Sequence, residues 1–314
     1  MKKVGLWFYR NDGGAKILNT LVNELQKHGY DVISDFDMRK CYVLNGHVYT
    51  DNGYDLSSLD AFYHMNADEQ NQFQNDILKV LSNSKVKVFN DYESFSNAKD
   101  KMMANAILCN SGINVPPALF VSENFDKDIM KKIFGEWKSV VLKPRRNHGG
   151  KGILKFDDYE SFEDFCQATT GFYKDYYMEK FIPFGTHDYR VEIFDGKVIS
   201  GYSRQRTHNF KTNISSGGKH IIIPTNEETK EIALRAANAI GVTTTIVDMI
   251  KSEEDNKYYV LEVNPIMGIF LESVMNSGER FPVPGHIDKT LRSDNAKINA
   301  IVNYFDKILS EQGD

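Results

Sequence analysis

The sequence predicts a mixed α/β (α+β) protein that is divided into lobes. Strands and helices alternate in the first part of the chain, which is typical of an α/β layer. Further along, residues 245–250 and 259–265 alternate polar and apolar side chains on either side of a charged, turn-like stretch, which predicts two neighbouring antiparallel strands. A chain of 314 residues can bury a sizeable core and divide into two or three lobes.

The first expected lobe, residues 1–96, is an N-terminal α/β domain. It opens with a strand at residues 4–8 and a helix whose apolar residues recur at helical spacing until Gly29 ends it. The remaining elements are predicted at residues 31–34, 61–65 and 86–89 for strands and near residues 73–81 for a helix.

The second expected lobe, residues 97–171, is smaller and is built around a glycine-rich loop with a short strand on each side. Its other elements are predicted to be a helix bearing Lys101, a strand at 115–121, and helices at 125–137 and 159–169.

The third expected lobe, residues 172–314, is read from turn and capping signals. Its predicted elements are a hairpin turn at Asp195 and Gly196, a helix at 227–240 capped by Thr225 or Asn226 and ended by Gly241, and an amphipathic helix at 294–309.

Composition argues against several classes of protein. The net charge of −5 and the pI near 5.9 give no reason to expect a nucleic-acid-binding surface. No apolar run is long enough to span a membrane, and no signal peptide precedes the first strand. The cysteines Cys41, Cys109 and Cys166 lack motif spacing, which argues against disulfides and zinc and fits a reducing cytoplasm. We therefore expect a cytoplasmic protein.

The two C-terminal strands carry a candidate metal site. Residues two apart on a strand point the same way, so Glu262 and Asn264 share a face. If Asp248 projects from that face, three hard oxygen ligands converge, which suits Mg²⁺. An ordinary hairpin with solvated polar residues is the alternative that these strands alone leave open.

A basic, glycine-rich loop is the second informative feature. A short apolar strand delivers Lys143, and Gly149, Gly150 and Gly152 follow around Lys151. Glycines let backbone N–H groups turn around an anion, and a lysine adds a point charge. The loop fits neither the P-loop, which needs Ser or Thr after Gly-Lys, nor the dinucleotide fingerprint, which needs a helix after the glycines. Alone, it is weak support for phosphate binding.

Taken in order, six segments from about Asn97 to about Leu271 resemble the ATP-grasp superfamily, and within it the RimK-like and glutathione-synthetase-like carboxylate–amine ligases. The segments are the Lys101 helix with its GINVP continuation at 112–116, Lys143 with the glycine loop, YMEKFIP at 177–183, HDYRV at 187–191, FKTNISSGG at 210–218, and the set Asp248, Glu262 and Asn264. The chain departs from the pattern after Asn264, where many relatives have a Pro-Gly and this one reads PIMG, which puts the acceptor-side pocket in doubt.

The resemblance implies an ATP-grasp fold, with an N-terminal Rossmann-like pre-ATP-grasp domain and two ATP-grasp lobes that hold the nucleotide between antiparallel sheets. It also implies ATP and Mg²⁺ as cofactors, with two ions expected and Mn²⁺ as an alternative. The implied ATP-binding residues are Lys101, Lys143, Gly149, Gly150, Lys151, Gly152, Glu179, Lys180, Phe181, Ile182 and Asp188. The implied catalytic residues are Arg190, Arg204, Lys211 and Asn213, and the implied metal ligands are Asp248, Glu262 and Asn264.

The implied reaction is ATP-dependent ligation of a carboxylate and an amine through an acylphosphate, which releases ADP and phosphate. The expected partners are a small-molecule or peptide carboxylate and an amino acid or amine, with neither nucleic acid nor membrane. A homodimer or homotetramer stays open. The alternatives are an ATP-grasp small-molecule kinase and a non-catalytic nucleotide-binding module.

Overall fold

Three separate sheets organise the chain. The computed structural model describes residues 1–8, 14–65, 72–147, 149–207, 210–213, 216–221, 225–269 and 294–310. Within these residues no helix is both long and apolar enough to cross a membrane.

The N-terminal sheet is parallel, with the strand order β2-β1-β5-β6. Helix α1 packs its apolar face on this sheet, as its helical periodicity predicts. The elements of this part are β1 (Lys3–Phe8), α1 (Gly14–Lys27), β2 (Asp31–Ile33), β3 (Tyr42–Leu44), β4 (His47–Tyr49), β5 (Ala61–Met65), α2 (Gln72–Ser82) and β6 (Lys87–Phe89).

The second sheet is antiparallel, with the strand order β7-β10-β8-β9. Aromatic residues of α5 and α6, such as Phe134 and Phe162, form its core. The elements of this part are α3 (Tyr92–Lys99), α4 (Lys101–Asn110), β7 (Ala118–Ser122), α5 (Lys127–Trp137), β8 (Val140–Leu142), β9 (Leu154–Phe156), α6 (Tyr159–Ala168) and β10 (Asp175–Lys180). Strand β10 lies in this sheet, although it follows residue 172, where the sequence analysis begins the third lobe.

The third sheet is also antiparallel, with the strand order β13-β12-β11-β14-β15. Helices α4 and α7 cover one face of it. The elements of this part are β11 (His187–Phe194), β12 (Lys197–Gln205), β13 (Lys219–Ile221), α7 (Glu227–Ile240), β14 (Thr244–Lys251), β15 (Tyr258–Asn264) and α8 (Asp294–Ser310).

The last helix returns to the first sheet. Ile298, Ile301 and Phe305 of α8 share one core with Leu21 of α1 and Leu6 of β1. The Tyr30 hydroxyl also donates to Asp306 Oδ1 at 2.6 Å. The N-terminal sheet is therefore covered by a helix from the far end of the described chain.

Most predicted elements occur where the sequence places them, one begins later than predicted, and the structure adds a hairpin and a helix that the sequence analysis missed. The strand predicted at 115–121 begins only at Ala118, because Pro116 and Pro117 have no N–H to donate to a ladder. The β3–β4 hairpin was not predicted, since it is only three residues on each side and is half exposed. Helix α3 was missed because Asp100 both ends it and caps α4.

The cap of α7 is as predicted. The Asn226 side chain accepts from Thr229 N at 2.8 Å, and the Thr229 hydroxyl is 3.1 Å from Asn226 N, which completes a capping box. Gly241 ends the helix with a φ of 84°, a left-handed conformation that favours glycine.

Replacing the N-cap residue Asn226 should destabilise α7. Asn226→Ala removes the bond to Thr229 N and the bond from Nδ2 to the Tyr258 hydroxyl, so it should lower the free energy of unfolding by about 1 kcal/mol in urea denaturation. Asn238→Ala, at an exposed interior position of the same helix, is the matched control and should be neutral or slightly stabilising. Equal stability losses in the two variants would contradict the capping role.

Candidate functional site

A cavity of about 100 Å³ lies between the second and third sheets. Seven of the predicted site residues line it, namely Lys143, Glu179, Lys180, Phe181, Ile182, Lys211 and Asn213. The sequence analysis assigned no role to the other lining residues, which are Pro116, Val141, Ile153, Phe184, Phe210, Thr212, Ile250 and Leu261. Apolar walls with a few polar groups are typical of a pocket for a planar aromatic ligand. The apolar run of β8 and the alternation of β14 and β15 were signals that could have found Val141, Ile250 and Leu261.

Lys143 is held at the wall of this cavity by a carboxylate. Its ammonium group pairs with Glu179 Oε2, and both side chains are largely buried. The Tyr177 hydroxyl donates to the other oxygen of Glu179 at 2.7 Å. Burial raises the pKa of the Tyr177 phenol, which keeps it protonated as a donor. Sequence reasoning missed this tyrosine, although its place two residues before Glu179 on one strand puts both on the same face.

The glycine-rich loop lies against the residues predicted to act on the phosphates. Gly149, Gly150 and Gly152 all have φ values between 68° and 72°, which non-glycine residues rarely adopt. Lys211 Nζ donates to Gly150 O at 3.0 Å, and a Cβ atom on Gly150 would lie 2.6 Å from Asn213 Oδ1. The predicted Lys151 is exposed, and His148 lies outside the described residues.

Lys101 connects the glycine-rich loop to β15, one of the two strands that carry the predicted metal ligands. Its ammonium group donates to Asn147 O at 2.6 Å and lies 3.0 Å from Glu262 Oε1. Position 101 is buried because Lys101 opens α4 at the base of the loop, where its backbone N–H also donates to Arg145 O at 3.0 Å. One predicted phosphate lysine thus contacts a predicted metal ligand.

Asp100 pairs with two arginines of the loop. Arg145 Nε donates to Asp100 Oδ1 at 3.1 Å, and Arg146 Nε lies 3.4 Å from Asp100 Oδ2. The same carboxylate caps α4 by accepting from the N–H groups of Met102 and Met103. Arg145 and Arg146 are therefore paired at the base of the loop.

The three predicted metal ligands lie on adjacent strands in the expected register. Asp248 stands opposite Glu262 in the β14–β15 ladder, and Asn264 stands opposite Ile246. Asn264 Nδ2 is 3.5 Å from Asp248 Oδ1, so the two side chains meet on one face. A set of carboxylate and amide oxygens is chemically suited to Mg²⁺.

Asp248 is also bonded to two arginines. Arg190 Nε donates to Asp248 Oδ1 at 2.7 Å, and Arg204 Nη2 donates to Asp248 Oδ2 at 2.8 Å. Burial would lower the pKa of Arg190, but the surrounding groups, Asp248 foremost, together outweigh burial and raise it. Both guanidinium groups therefore stay charged beside the metal strands.

Asp188 lies behind Arg204 and orients it. Its Oδ2 accepts from Arg204 Nε at 3.0 Å and from the Thr212 hydroxyl at 2.6 Å. In this geometry Asp188, which the resemblance places among the ATP-binding residues, orients a neighbouring side chain. Arg190, Arg204 and Asp188 do not line the cavity but form a charged layer next to it.

Lys101 controls the charge of Glu262. Burial alone would raise the pKa of the Glu262 carboxyl, but the positive charges of Lys101, Lys99 and Arg190, with Lys101 contributing most, together lower the pKa to about 2. Glu262 is thus ionised throughout the neutral range and available to a cation.

Comparison with known proteins identifies what the site resembles. The family model described as the RimK-like ATP-grasp domain matches residues 98–277, which is more than half of the chain. This confirms the resemblance found from the sequence motifs.

Curated relatives extend over most of the chain. It is 24% identical over 288 residues to a probable alpha-L-glutamate ligase of Xanthomonas euvesicatoria, covering 88% of this chain and 96% of the relative. It is 27% identical over 256 residues to the tetrahydromethanopterin:alpha-L-glutamate ligase of Methanocaldococcus jannaschii, covering 79% and 86%.

Solved structures share the fold along the whole chain. The D-alanine–D-alanine ligase from Bacillus anthracis complexed with ATP has a TM-score of 0.66 at 16% identity, covering 100% of both chains. A RiPP-associated ATP-grasp ligase of Chryseobacterium gregarium, in complex with ADP and a leader and core peptide, has a TM-score of 0.65 at 13% identity, covering 97% of both. These likenesses confirm the predicted ATP-grasp architecture.

The Glu262–Lys101 pair should make stability depend on pH in acid. The pKa of Glu262 lies below its ordinary value of 4.5, so the ionised form stabilises the fold fully above that pH, and the stabilisation is lost as pH falls toward about 2. The free energy of unfolding of Glu262→Gln should therefore lie furthest below that of the unsubstituted protein near neutrality, with the gap narrowing below pH 4.5. A gap that does not change with pH would contradict the pairing.

The contact between Gly150 and Asn213 should not tolerate a side chain. Gly150→Ala adds a Cβ in the left-handed region and displaces Asn213, so ATP-dependent ADP release should fall by roughly tenfold or more. Gly135→Ala, inside α5 with no atom within 4 Å of the added Cβ, is the control and should keep full activity. Equal activity in both variants would show that the loop need not pack on Asn213.

Proposed function

Because the chain belongs to the RimK-like ATP-grasp family, we propose that it is an ATP-dependent ligase that joins a carboxylate to an amine and releases ADP and phosphate. The observation that carries the proposal is the arrangement of the interlobe cleft. Lys143 and the apolar cavity, the glycine loop, and the Asp248–Glu262–Asn264 face adjoin one another, linked through Lys211 and Lys101.

The apolar cavity would hold the adenine, with the triphosphate directed toward the metal strands. Phe181, Ile182 and Leu261 would contact the base, and Lys143 would face the first phosphates. Lys101, Lys151 and the amides of Gly149, Gly150 and Gly152 would receive the outer phosphates. Phosphoryl transfer depends mainly on positioning and charge neutralisation, so a site built from cations and backbone amides requires no nucleophilic Ser or Cys.

Mg²⁺ would be held by Asp248, Glu262 and Asn264, with phosphate oxygens and water completing its shell. When bound, it would neutralise charge on the phosphates. Two ions, with Mn²⁺ able to substitute, are the expected complement. Lys101 already contacts Glu262, and Arg190 already contacts Asp248. A metal ion would therefore share these carboxylates with the two basic side chains or displace those side chains from them.

Arg190, Arg204, Lys211 and Asn213 would act on the transferred phosphoryl group and the acyl carbon. The substrate carboxylate attacks the γ-phosphorus of ATP to give an acylphosphate and ADP. The amine then adds to the acyl carbon, and phosphate leaves. Arg190 and Arg204 are preorganised for anionic oxygens because Asp188, Asp248 and Tyr202 fix both guanidinium groups.

We also propose the substrates, the lobe boundaries and the oligomeric state. The curated relatives are named as alpha-L-glutamate ligases, so L-glutamate is the first amine to test. A small molecule or peptide would supply the carboxylate. We propose lobes at residues 1–96, 97–171 and 172–314, with the first helping to shape the acceptor site. Cytoplasmic location and a homodimeric or homotetrameric state stay predictions.

Hydroxylamine provides the direct test. With ATP, Mg²⁺ and a carboxylate substrate, the unsubstituted protein should release ADP and form a hydroxamate, because hydroxylamine traps an acylphosphate. A hydroxyl kinase would release ADP without hydroxamate, and a non-catalytic module would give neither product. ADP release over a panel of acids, with L-glutamate as amine and mass spectrometry of products, would identify the acceptor.

Glu262→Gln tests the metal assignment within the same assay. It removes one negative charge from the proposed metal shell with little change in volume, so ADP formation should fall below detection while the protein stays folded. Glu136→Gln, which affects an exposed partner of Lys132 on α5, is the matched control and should keep activity. Near-normal turnover of Glu262→Gln at saturating Mg²⁺ would show that the metal lies elsewhere.

A further inference from the structure

The backbone that follows β15 is held at three carbonyl oxygens by side chains from distant parts of the chain. We call residues 264–268 the exit segment. Thr245 Oγ1 donates to Asn264 O at 2.7 Å, and Asn90 Nδ2 donates to Pro265 O at 2.8 Å. Lys297 Nζ donates to Gly268 O at 2.6 Å. The segment that follows the proposed metal ligand Asn264 is therefore fixed at both of its ends.

Asn90 joins the exit segment to the start of β14. Its Oδ1 accepts from Thr243 N at 2.6 Å and from Thr244 N at 3.0 Å, while Nδ2 also donates to Thr244 O at 2.8 Å. The amide thus continues the strand pairing beyond the last rung, between Ile246 and Asn264. This anchor comes from the N-terminal lobe, where His64 Nε2 donates to Asn90 O at 2.7 Å.

Lys297 is the second anchor and is completely buried on α8. Its ammonium group lies 2.8 Å from Glu192 Oε2 on β11, and the Ser200 hydroxyl donates to the same oxygen. The exit segment on one side and α8 on the other are apolar here, with Met267 and Ile298 in the same core. A buried ion pair is often no more stabilising than apolar residues of the same size. What the ammonium group adds is a directed bond to the Gly268 carbonyl.

We propose that Lys297 is a positioning residue for the metal site, acting through the exit segment on Asn264. The proposal rests on the proposed function, since it takes Asn264 as a metal ligand. Residues behind the ligands of a metal site commonly alter metal affinity by 10- to 100-fold when replaced. Lys297 bonds to the carbonyl of Gly268, which is four residues after Asn264 in the chain. Because this contact is not with the ligand itself, the loss of Lys297 should have an effect at the lower end of that range.

The test separates positioning from stability with variants of one buried cluster. Lys297→Met with Glu192→Gln removes both charges and the bond to Gly268 O. Glu192→Gln alone leaves that bond in place but leaves the lysine without its carboxylate. Ser200→Ala removes only the hydroxyl that donates to Glu192 and keeps both contacts of Lys297. Asn264→Ala is the positive control for loss of the metal ligand.

Two quantities are measured for each protein. One is the melting temperature without ligand. The other is the Mg²⁺ concentration that half-saturates binding of a non-hydrolysable ATP analogue, measured by titration calorimetry. The double variant should need about tenfold more Mg²⁺, as should Asn264→Ala, whereas Glu192→Gln and Ser200→Ala should need the same amount as the unsubstituted protein. Glu192→Gln should nevertheless melt at a lower temperature than the double variant, because it buries an unpaired charge.

An unchanged Mg²⁺ requirement in the double variant would overturn the positioning role of Lys297. The same holds if the Mg²⁺ requirement simply follows the melting temperature across the variants, since the cluster would then act on stability alone. Absence of Mg²⁺-dependent analogue binding in the unsubstituted protein would instead overturn the proposed function, and this inference with it.

Discussion

The shared carboxylate of Asp248 is the constraint on which the site depends. Arg204 on β12 and Asp248 on β14 are buried, Arg190 on β11 is partly buried, and the three charges satisfy one another across three strands. Charges in such a place are costly unless paired, so a one-residue slip of any strand would leave them unsatisfied. The register of the sheet then places Glu262 opposite Asp248, and Lys101 carries the connection to the glycine loop.

Local patterns in the sequence account for much of this arrangement, and long-range pairings account for the rest. The period of two along a strand was enough to place Glu262 and Asn264 on one face, whereas the register of β14 against β15 was needed to bring Asp248 to it. The Asn226 and Gly241 signals marked both ends of α7. No periodicity shows that Asp100 pairs with Arg145, or that Asp248 is shared by two arginines. Those partners are 44 to 58 residues apart and meet only through the fold. The motif resemblance supplied the family, while the geometry distinguished cavity-lining residues from the charged layer behind them.

Three cations of the cleft are paired with carboxylates in the structure. Lys143 is paired with Glu179, Lys101 with Glu262, and Arg190 with Asp248. A polyanion that enters with a divalent cation can therefore bind by exchange, with phosphates taking the cations and the metal taking the carboxylates. Each lost pair is then replaced by another charge-assisted contact, so few charges are left unsatisfied.

The position of α8 has a consequence for how the chain acquires its structure during synthesis. Domains at the start of a chain commonly fold while the remainder is still being translated. Here the apolar face shared by α1 and β1 is completed by Ile301 and Phe305, which leave the ribosome among the last described residues. Until then, the first lobe exposes an apolar surface suited to a chaperone that recognises nascent hydrophobic segments. A premature stop before α8 would leave that surface uncovered and mark the product for degradation, even though every proposed nucleotide and metal ligand would already be present.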